Sequence, residues 1–237
     1  MKANLDPIQA AKQKAALEAV KHVKDGFIVG LGSGSTAAFA IEAIGEKVKR
    51  EKLRVMGIPT SYQAFLLAVE CGIPITTLDE HPQIDVTIDG ADQITPELFL
   101  IKGMGAALAR EKIVAVASKL NIIIADAKKK VKVLGENNQS VPIEVLPFAI
   151  SLAKRKIIDA GGKPVLREGK GKLGPVITDN GNVILDSYFG EIAKPAELEV
   201  KLKMTPGIVE TGFFVGLTDI AYIGTVSAIE RIDKIKF

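Results

Sequence analysis

Short apolar runs alternate with helical segments through the first half of this chain. The runs have the length and composition of buried strands, and they lie at 27–31, 53–58, 84–89 and 121–126, with a weaker one at 74–78. The segments between them have the character of helices, and they lie at 7–24, 36–50, 62–70 and 106–119. This alternation predicts an α/β fold with a doubly wound, Rossmann-like parallel sheet.

The order of elements changes after about Val131. Strands are expected at 141–146, 163–167, 175–178 and 182–185, and helices at 147–160 and 195–204. Asn180-Gly181 between two β-rich runs predicts a hairpin, and the segment 167–174, rich in lysine and glycine, is expected to be an exposed loop. We therefore predict a Rossmann-like catalytic domain, 1–130 with 207–237, and a smaller α+β, ferredoxin-like domain, 131–206.

Composition excludes several classes of protein. A chain of 237 residues with 47% apolar content can bury a sizeable core, and a net charge of +3 is too small to indicate a nucleic-acid partner. The single cysteine, Cys71, excludes an internal disulfide and fits a reducing compartment. Neither a signal-like N-terminus nor an apolar stretch of ~20 residues is present, so we expect a cytoplasmic protein with no membrane partner.

Chemistry is expected at one edge of the predicted sheet, because ligands of open parallel sheets bind beyond the carboxyl ends of the strands. Three polar segments follow such strands, and they are the turn 32–36, the segment 89–92 and Asp126. Their meeting at this edge is a prediction from topology.

The turn at 32–36, Gly-Ser-Gly-Ser-Thr, has the character of an anion site. Glycine permits a tight turn, Ser33, Ser35 and Thr36 add hydroxyl donors, and the N-terminus of the following helix attracts negative charge. A dinucleotide fingerprint would need a third glycine where Ser35 stands, and the Gly-Lys of a P-loop is absent. The turn therefore favours one phosphate monoester, although a simple Ser/Thr-capped turn explains the same residues equally well.

Acid–base groups follow the third full strand. Asp89 and Asp92 come first, then Lys102 before a glycine-rich turn, and then Glu111 on a predicted helix. Taken singly, each has a plainer explanation as a cap, a backbone hydrogen-bond acceptor or a surface charge. Taken together beside a phosphate turn, they indicate a site that moves protons on a small phosphorylated metabolite.

At this point the sequence resembles the A-type ribose-5-phosphate isomerases over nearly its whole length. The resemblance is carried by Gly30–Ala38, Asp89–Asp92, Ile101–Leu108 with Arg110–Lys112, Ile124–Ala127 and Gly181–Asp186. Ser33, where the family often has Thr, and Met104, where it often has Gly, are small departures that remove no proton-carrying group.

The resemblance implies interconversion of D-ribose 5-phosphate and D-ribulose 5-phosphate through an enediolate, in the non-oxidative branch of the pentose phosphate pathway, with no metal or organic cofactor. It assigns the base to Glu111, oxyanion stabilisation to Lys102, ring opening to Asp89, and binding of sugar hydroxyls to Asp92. The substrate-binding residues that it implies are Ser33, Gly34, Ser35 and Thr36 for the phosphate, with Gly90, Ala91, Gly103, Met104, Gly105 and Lys129. The neighbouring Lys128 and Lys130 leave the choice of Lys129 open. Lys12 is a further, weaker suggestion for a contact with the phosphate. A homodimer or homotetramer is expected.

Two other functions use similar features. A sugar-phosphate-sensing regulatory domain would share the fold, but it would need a DNA-reading element, and the single N-terminal helix does not supply a helix-turn-helix. An acyl-CoA transferase would use a glutamate nucleophile on a similar sheet, but it would need a CoA site and usually a longer chain.

Overall fold

The computed structural model describes residues 6–171 and 173–234, which fall into two compact units. The first unit contains the described residues as far as Ala91, together with Arg110–Lys130 and the residues from Leu217 onward. The second contains Asp92–Ala109 and Val131–Gly216. The sequence-based division had assigned 92–109 and 207–216 to the first unit. These segments group with the second because Ile208–Thr211 pairs with Val141–Val145 of that unit, and the short strands of both segments pair with each other.

One sheet forms the centre of the first unit. Its strands are β1 (Ile28–Leu31), β2 (Met56–Pro59), β3 (Val86–Gly90), β6 (Asn121–Asp126), β12 (Ile220–Gly224) and β13 (Ile229–Asp233). Their order is β13-β12-β6-β3-β1-β2, and the strands are parallel apart from antiparallel β13 at the edge. The predicted α/β class and parallel sheet are therefore confirmed, as is the return of the last residues to the first sheet.

The weaker strand expected at 74–78 is wrong. This segment touches the sheet edge through one hydrogen-bond pair, in which Gly57 N–H donates to the Pro74 carbonyl and Thr76 N–H donates to the Gly57 carbonyl. The chain then turns away, so the contact remains a single bridge.

The topology of this sheet has a switch point between β1 and β3. From β1 the chain passes to β2 on one side, and it then crosses to β3 on the other side. A crevice opens at such a point, outside the carboxyl ends of the two strands, and ligands of doubly wound sheets bind there. The turn 32–36 follows β1 at this point, and Asp89 lies near the end of β3.

Helices cover both faces of the sheet. They are α1 (Pro7–Val20), α2 (Gly34–Glu51), α3 (Tyr62–Glu70) and α4 (Leu108–Val116), whose first two residues belong to the second unit. Val29 and Leu31 of β1 point to the core formed with α1, α2 and α3, whereas Ile28 points to the opposite face, where Val114 of α4 packs.

The first helix begins where the sequence predicts. The N–H groups of Ile8 and Gln9 donate to Asp6 Oδ1, both at 2.9 Å, and Pro7 occupies the first helical position. The helix ends at Val20, earlier than the expected Lys24, because the backbone breaks into turns before Gly26.

The second unit contains a split βαβ arrangement. Its elements are β7 (Val141–Val145), α5 (Ile150–Asp159), β8 (Lys163–Leu166), β9 (Val183–Tyr188), α6 (Pro195–Lys203) and β10 (Ile208–Thr211). The sheet order β10-β7-β9-β8 is antiparallel throughout, which is the ferredoxin-like order predicted from sequence. A three-stranded sheet, β11-β5-β4, adds β4 (Gln93–Ile94), β5 (Leu100–Ile101) and β11 (Phe213–Phe214).

The predicted turn at Asn180-Gly181 forms, but the strand expected at 175–178 does not. Thr178 N–H donates to the Asn182 carbonyl at 2.8 Å to close the turn, and Ile177 makes one bridge to Val183. The side chains of Thr178, Asn180 and Asn182 all donate to Oε1 of buried Glu144, at 2.9, 3.1 and 2.8 Å. These contacts connect the turn to β7, and β9 pairs with β7 and β8.

Candidate active site

The turn after β1 depends on a glycine at its first position. A Cβ on Gly32 would lie 2.2 Å from Oδ1 and 2.5 Å from Cα of Asp89, so no side chain fits there. Gly34 has φ +89°, a left-handed conformation that favours glycine, and it opens α2. The two glycines therefore let the chain leave β1 and start a helix directly beside β3.

Asp89 fastens this turn to the end of β3. The carboxylate is buried, and its Oδ1 accepts the N–H of Ser33 at 3.1 Å and the N–H of Gly90 at 2.7 Å. Gly90 itself lies against the turn, since a Cβ there would be 3.9 Å from Thr36 Cβ and 4.0 Å from the Ser33 carbonyl oxygen. The convergence of the turn with the end of β3, predicted from topology, is present in the first unit.

Residues after β2 complete this region, and none of them was predicted from the sequence. Ser33 Oγ lies 2.7 Å from Thr60 Oγ1 and donates to Ser61 Oγ at 2.6 Å, and the Gly34 N–H donates to Gln63 Oε1 at 2.8 Å. β2 is parallel to β1 and adjacent to it. The polar residues that follow β2 could therefore have been assigned to the same edge.

The outer end of the turn is electropositive. Ser35 and Thr36 occupy the first turn of α2, where backbone N–H groups have no acceptor within the helix. Lys12 Nζ of α1 donates to Ser35 Oγ at 3.0 Å, which brings an ammonium group to the helix N-terminus. This combination of donors, helix dipole and cation suits an anion.

Glu111 lies in the first turns of α4, and its side chain is buried, with 5% of its surface exposed. The preceding residue, Arg110, stacks its guanidinium over the ring of Tyr62, 5.6 Å from the ring centroid. Tyr62 directly follows Ser61, which bonds Ser33. The start of α4 therefore lies close to the residues that support the turn, and Glu111 does not point into bulk solvent.

The three consecutive lysines after β6 have different surroundings. Asp126 Oδ1 accepts the Lys128 N–H at 3.0 Å and caps a short 3-10 turn. Lys130 forms an ion pair with Glu230 at 2.7 Å, Lys128 is exposed, and Lys129 is half-buried.

In the second unit, Lys102 follows β5 and is almost fully buried, with 3% exposed. Its ammonium group lies 5.3 Å from the centroid of the Phe214 ring, a cation–π contact. Its N–H donates to the Gly212 carbonyl at 2.9 Å. The neighbouring segment 212–214 therefore contacts both the backbone and the side chain of Lys102.

The turn from Lys102 to Gly105 is close to Asp92. Asp92 Oδ2 accepts the Met104 N–H at 3.1 Å, so these two predicted site residues are in contact. Gly103 has φ +101°, whereas Met104 and Gly105 are exposed. Ala91, which joins Gly90 to Asp92, is half-buried.

Arg167 is less exposed than the sequence predicts. The segment 167–174 was predicted to be an exposed loop, but the Arg167 side chain is only 12% exposed and donates to the carbonyls of Gly103 and Met104. Its carboxylate partner is Asp186, in the otherwise largely apolar strand β9. A charged residue inside a buried strand requires a partner, and this was the available sequence signal.

Within the part of the chain that the structure describes, no group of three or more His, Cys, Asp or Glu side chains is arranged to hold a metal ion. In the same residues, no helix is both long enough and apolar enough to cross a membrane.

Comparison with known proteins gives one consistent family. The family model for ribose 5-phosphate isomerase A (phosphoriboisomerase A) matches residues 56–228. The ribose-5-phosphate isomerase A of Methanosarcina acetivorans is 48% identical over 90% of this chain and 89% of its own length. That of a Synechococcus species is 45% identical over 98% of this chain and 100% of its own.

Solved structures agree with these sequence relatives. The ribose 5-phosphate isomerase A of Methanocaldococcus jannaschii has a TM-score of 0.91 and 44% identity, covering 95% of this chain and 99% of that one. A D-ribose-5-phosphate isomerase in complex with phospho-erythronic acid has a TM-score of 0.93 and 43% identity, with the same coverage. The chain therefore belongs to the ribose 5-phosphate isomerase A family.

Proposed function

We propose that this protein interconverts D-ribose 5-phosphate and D-ribulose 5-phosphate without a metal or organic cofactor. Membership of the family supports the reaction, and so does the sugar-acid phosphate, phospho-erythronic acid, bound by a structural relative. The observation that carries the proposal is the burial of Glu111 on a helix whose start lies near the anion-binding turn. A carboxylate at such a place can move a proton on a bound sugar phosphate.

Glu111 is the proposed base. In the open-chain aldose it would take the proton from C2, giving an enediolate, and then return a proton to C1, giving the ketose. The hydroxyl proton on O2 leaves as the proton on O1 is gained, so no atom is lost overall. Lys102 is proposed to stabilise the charge that develops on these oxygens, and its burial strengthens that interaction.

The aspartates are proposed to handle the sugar. Asp89 would assist opening of the furanose ring, and Asp92 would bind sugar hydroxyls and help to position Lys102. The contact between Asp92 and the Met104 N–H supports the second role, because it connects Asp92 to the turn that carries Lys102. Backbone groups of two segments are also proposed to contact the substrate. They belong to Gly90 and Ala91, before Asp92, and to Gly103, Met104 and Gly105, after Lys102.

The phosphate is proposed to bind at the turn from Ser33 to Thr36. The hydrogen bond from Lys12 to Ser35 supports an added contact from α1. Lys129 is proposed as the further lysine that contacts the ligand. Its half-buried position favours it over exposed Lys128 and over Lys130, which is paired with Glu230. Binding energy from the phosphate can then orient carbon atoms remote from it.

The proton path can be tested directly. The protein is incubated with ribose 5-phosphate and EDTA in deuterated water, and the product is examined by NMR. We expect ribulose 5-phosphate with deuterium at C1, since the carboxyl proton exchanges with solvent. Absence of ketose would refute the reaction, and ketose without deuterium at C1 would refute proton transfer through an exchangeable group.

We also propose that the protein is a homodimer or homotetramer. Apolar side chains with helical spacing are exposed on α3, namely Tyr62, Phe65, Leu66 and Val69. Contiguous apolar surface of this kind is typical of association sites. Light scattering should give a mass of at least two 25.2 kDa chains, and Leu66→Lys should lower it. A monomer for the unmodified chain would contradict the proposal.

The cellular setting is part of the same proposal. We place the protein in the cytoplasm, in the non-oxidative branch of the pentose phosphate pathway. The free thiol of Cys71, the chain's single cysteine, supports a reducing compartment. Fractionation of source cells with detection of the protein in the periplasmic or secreted fraction would contradict this placement.

A further inference from the structure

A largely buried ion pair contacts the turn that carries Lys102. Arg167 Nε donates to Asp186 Oδ2 at 2.8 Å, and Nη2 donates to Oδ1 at 2.5 Å. Their side chains are only 12% and 14% exposed. This two-point geometry fixes the plane of the guanidinium as well as its position. Ser140 Oγ donates to Asp186 Oδ1 at 3.3 Å and helps to hold the carboxylate.

The remaining nitrogen of Arg167 is directed at the turn. Nη1 donates to the carbonyl of Gly103 and to the carbonyl of Met104, both at 3.0 Å. Asp186 therefore orients Arg167, and Arg167 in turn binds two successive peptide groups next to Lys102. A lysine could not make both sets of contacts, because an ammonium group lacks the planar array of donors.

Peptide planarity shows what this contact does to the turn. In a trans peptide the carbonyl oxygen and the following N–H point in opposite directions. Since the Gly103 carbonyl faces Arg167, the Met104 N–H faces away from it, and that N–H donates to Asp92 Oδ2 at 3.1 Å. By the same rule, the Met104 carbonyl faces Arg167, so the Gly105 N–H points away from Arg167 as well.

The backbone of this turn needs such support. Gly103 has φ +101°, and Ala106, which carries a side chain, has φ +60°. Left-handed conformations of residues other than glycine persist only where the surroundings impose them. The Ala106 N–H donates to the Gly103 carbonyl at 3.0 Å within the turn, and the two hydrogen bonds from Arg167, with the Met104 N–H donated to Asp92, add further constraint.

We propose that Arg167 is a positioning residue for the isomerase, and that Asp186 acts through it. The pair fixes the Lys102–Gly105 turn, so that the Lys102 ammonium and the Gly105 N–H are held ready for the oxygens of the reacting carbons. This inference rests on the proposed function, because it assigns the turn to the reacting end of the sugar and not to the phosphate.

Substitution of Arg167 should therefore affect turnover more than binding. In Arg167→Ala we expect kcat to fall by about 100-fold, since small misplacement of a catalytic group has effects of that order, whereas KM changes by less than about threefold. The matched control is Arg155→Ala, which removes an exposed arginine of the same unit and should leave both parameters unchanged.

Chemical rescue separates positioning from simple structural damage. Guanidinium chloride at millimolar concentration, far below denaturing levels, should restore part of the kcat of Arg167→Ala, because the small cation can occupy the vacated position. It should not activate Lys102→Met. A rescue that fails, in a variant whose melting temperature matches the unmodified protein, would overturn the proposal.

A double-mutant cycle tests the role of Asp186. If Asp186 acts only through Arg167, the single variant Asp186→Asn should lower kcat, but adding it to Arg167→Ala should lower kcat little further. Additive effects of the two substitutions would overturn this part.

A second variant keeps the proposal testable if Arg167→Ala does not fold. In Arg167→Lys, a native melting temperature with reduced kcat supports positioning, and an unchanged kcat refutes it. Failure of the unmodified protein to isomerise ribose 5-phosphate would instead refute the proposed function.

Discussion

The turn at 32–36 and the turn at 102–105 are both rich in glycine, but they are held by different kinds of contact. The first is fixed by the ends of neighbouring parallel strands, through Asp89, Thr60 and Ser61. The second is fixed by side chains from distant parts of the chain, and Arg167 lies 64 residues beyond Gly103. Sheet topology brings the residues that hold the first turn to one edge, whereas the second depends on side chains that no strand order brings together.

The two turns should therefore differ in their effects on catalysis. The first is proposed to bind the phosphate, the part of the substrate that does not react, so changes there should act mainly on KM. The second carries Lys102, which is proposed to act at the reacting end, so changes there should act mainly on kcat. Four measurements can sharpen or break this contrast.

The largest effect should come from Glu111, which belongs to neither turn. The fall in kcat of its variant is the reference against which the effects of both turns are compared. Glu111→Gln keeps the size of the side chain but removes the base, so kcat should fall by about 1000-fold with little change in KM. The matched control is Glu70→Gln, at an exposed position at the end of α3. Turnover within tenfold of the unmodified protein would contradict the role of Glu111 as base.

The next effect should come from Lys102 in the second turn. Lys102→Met retains the buried aliphatic stem but removes the charge, and kcat should fall by about 100-fold because the developing oxyanion loses its cation. Steady-state kinetics with ribose 5-phosphate measure both parameters. If KM rises and kcat is preserved, the second turn binds the substrate instead of assisting the reaction, and the contrast is broken.

A smaller effect on catalysis is expected from Gly32 in the first turn. In Gly32→Ala the new Cβ would collide with Asp89 and displace the Ser33 N–H, so KM should rise by about tenfold, roughly the loss of one hydrogen bond to a charged group. The strain should also lower the free energy of unfolding by about 1–3 kcal/mol. Gly105→Ala, whose Cβ would meet no atom within 4 Å, is the control for stability. An unchanged KM for Gly32→Ala would contradict the assignment of the phosphate to this turn.

The smallest effect concerns His22, a long-range side-chain contact in the first unit. Its Nε2 lies 2.8 Å from Tyr222 Oη, and burial, reinforced by the charges of Arg231 and Lys24, lowers the pKa of His22 below its ordinary 6.5. The folded state then binds this proton less readily than the unfolded state, so its contribution to stability is complete above pH 6.5 and decreases as the pH falls.

The free energy of unfolding, measured with denaturant between pH 7.5 and 5, should show this decrease. In His22→Asn the decrease over the same pH range should be smaller. NMR titration checks the direction, because the chain has only two histidines and the variant identifies the signal. A midpoint above 6.5 for His22 would reverse the sign and contradict the prediction. It would also show that a long-range side-chain contact contributes to the stability of the first unit in a way that strand order does not predict.

The same contrast explains what could be predicted from the sequence. The meeting of Gly32 with Asp89 followed from parallel strands that end at one edge, because any such sheet brings those ends together. The ferredoxin-like order of the second unit followed from the succession of its elements. Both predictions needed only periodicity, turn residues and chain order.

Side chains that act at long range were missed for a physical reason. Arg167 was expected in solvent because its neighbours are lysines and glycines, and local composition carries no information about a partner such as Asp186 on another strand. The strand expected at 175–178 failed in the same way, because buried Glu144 attracts the polar side chains of the turn. Both cases show side-chain pairing overriding local propensity.

The close approach of α1 to β12 has a consequence for how the protein is made. A Cβ on Gly224 would lie 2.0 Å from the carbonyl oxygen of Ala11, so this glycine permits the helix that carries Lys12 to lie directly on the strand. That strand follows the turn and the helix in chain order, so it is synthesised later than both. A nascent chain halted before residue 220 can already contain Asp89 and the serine turn, yet it has no complete seat for the helix that brings the lysine to them. The anion binding proposed for this turn should therefore mature only after β12 has been synthesised.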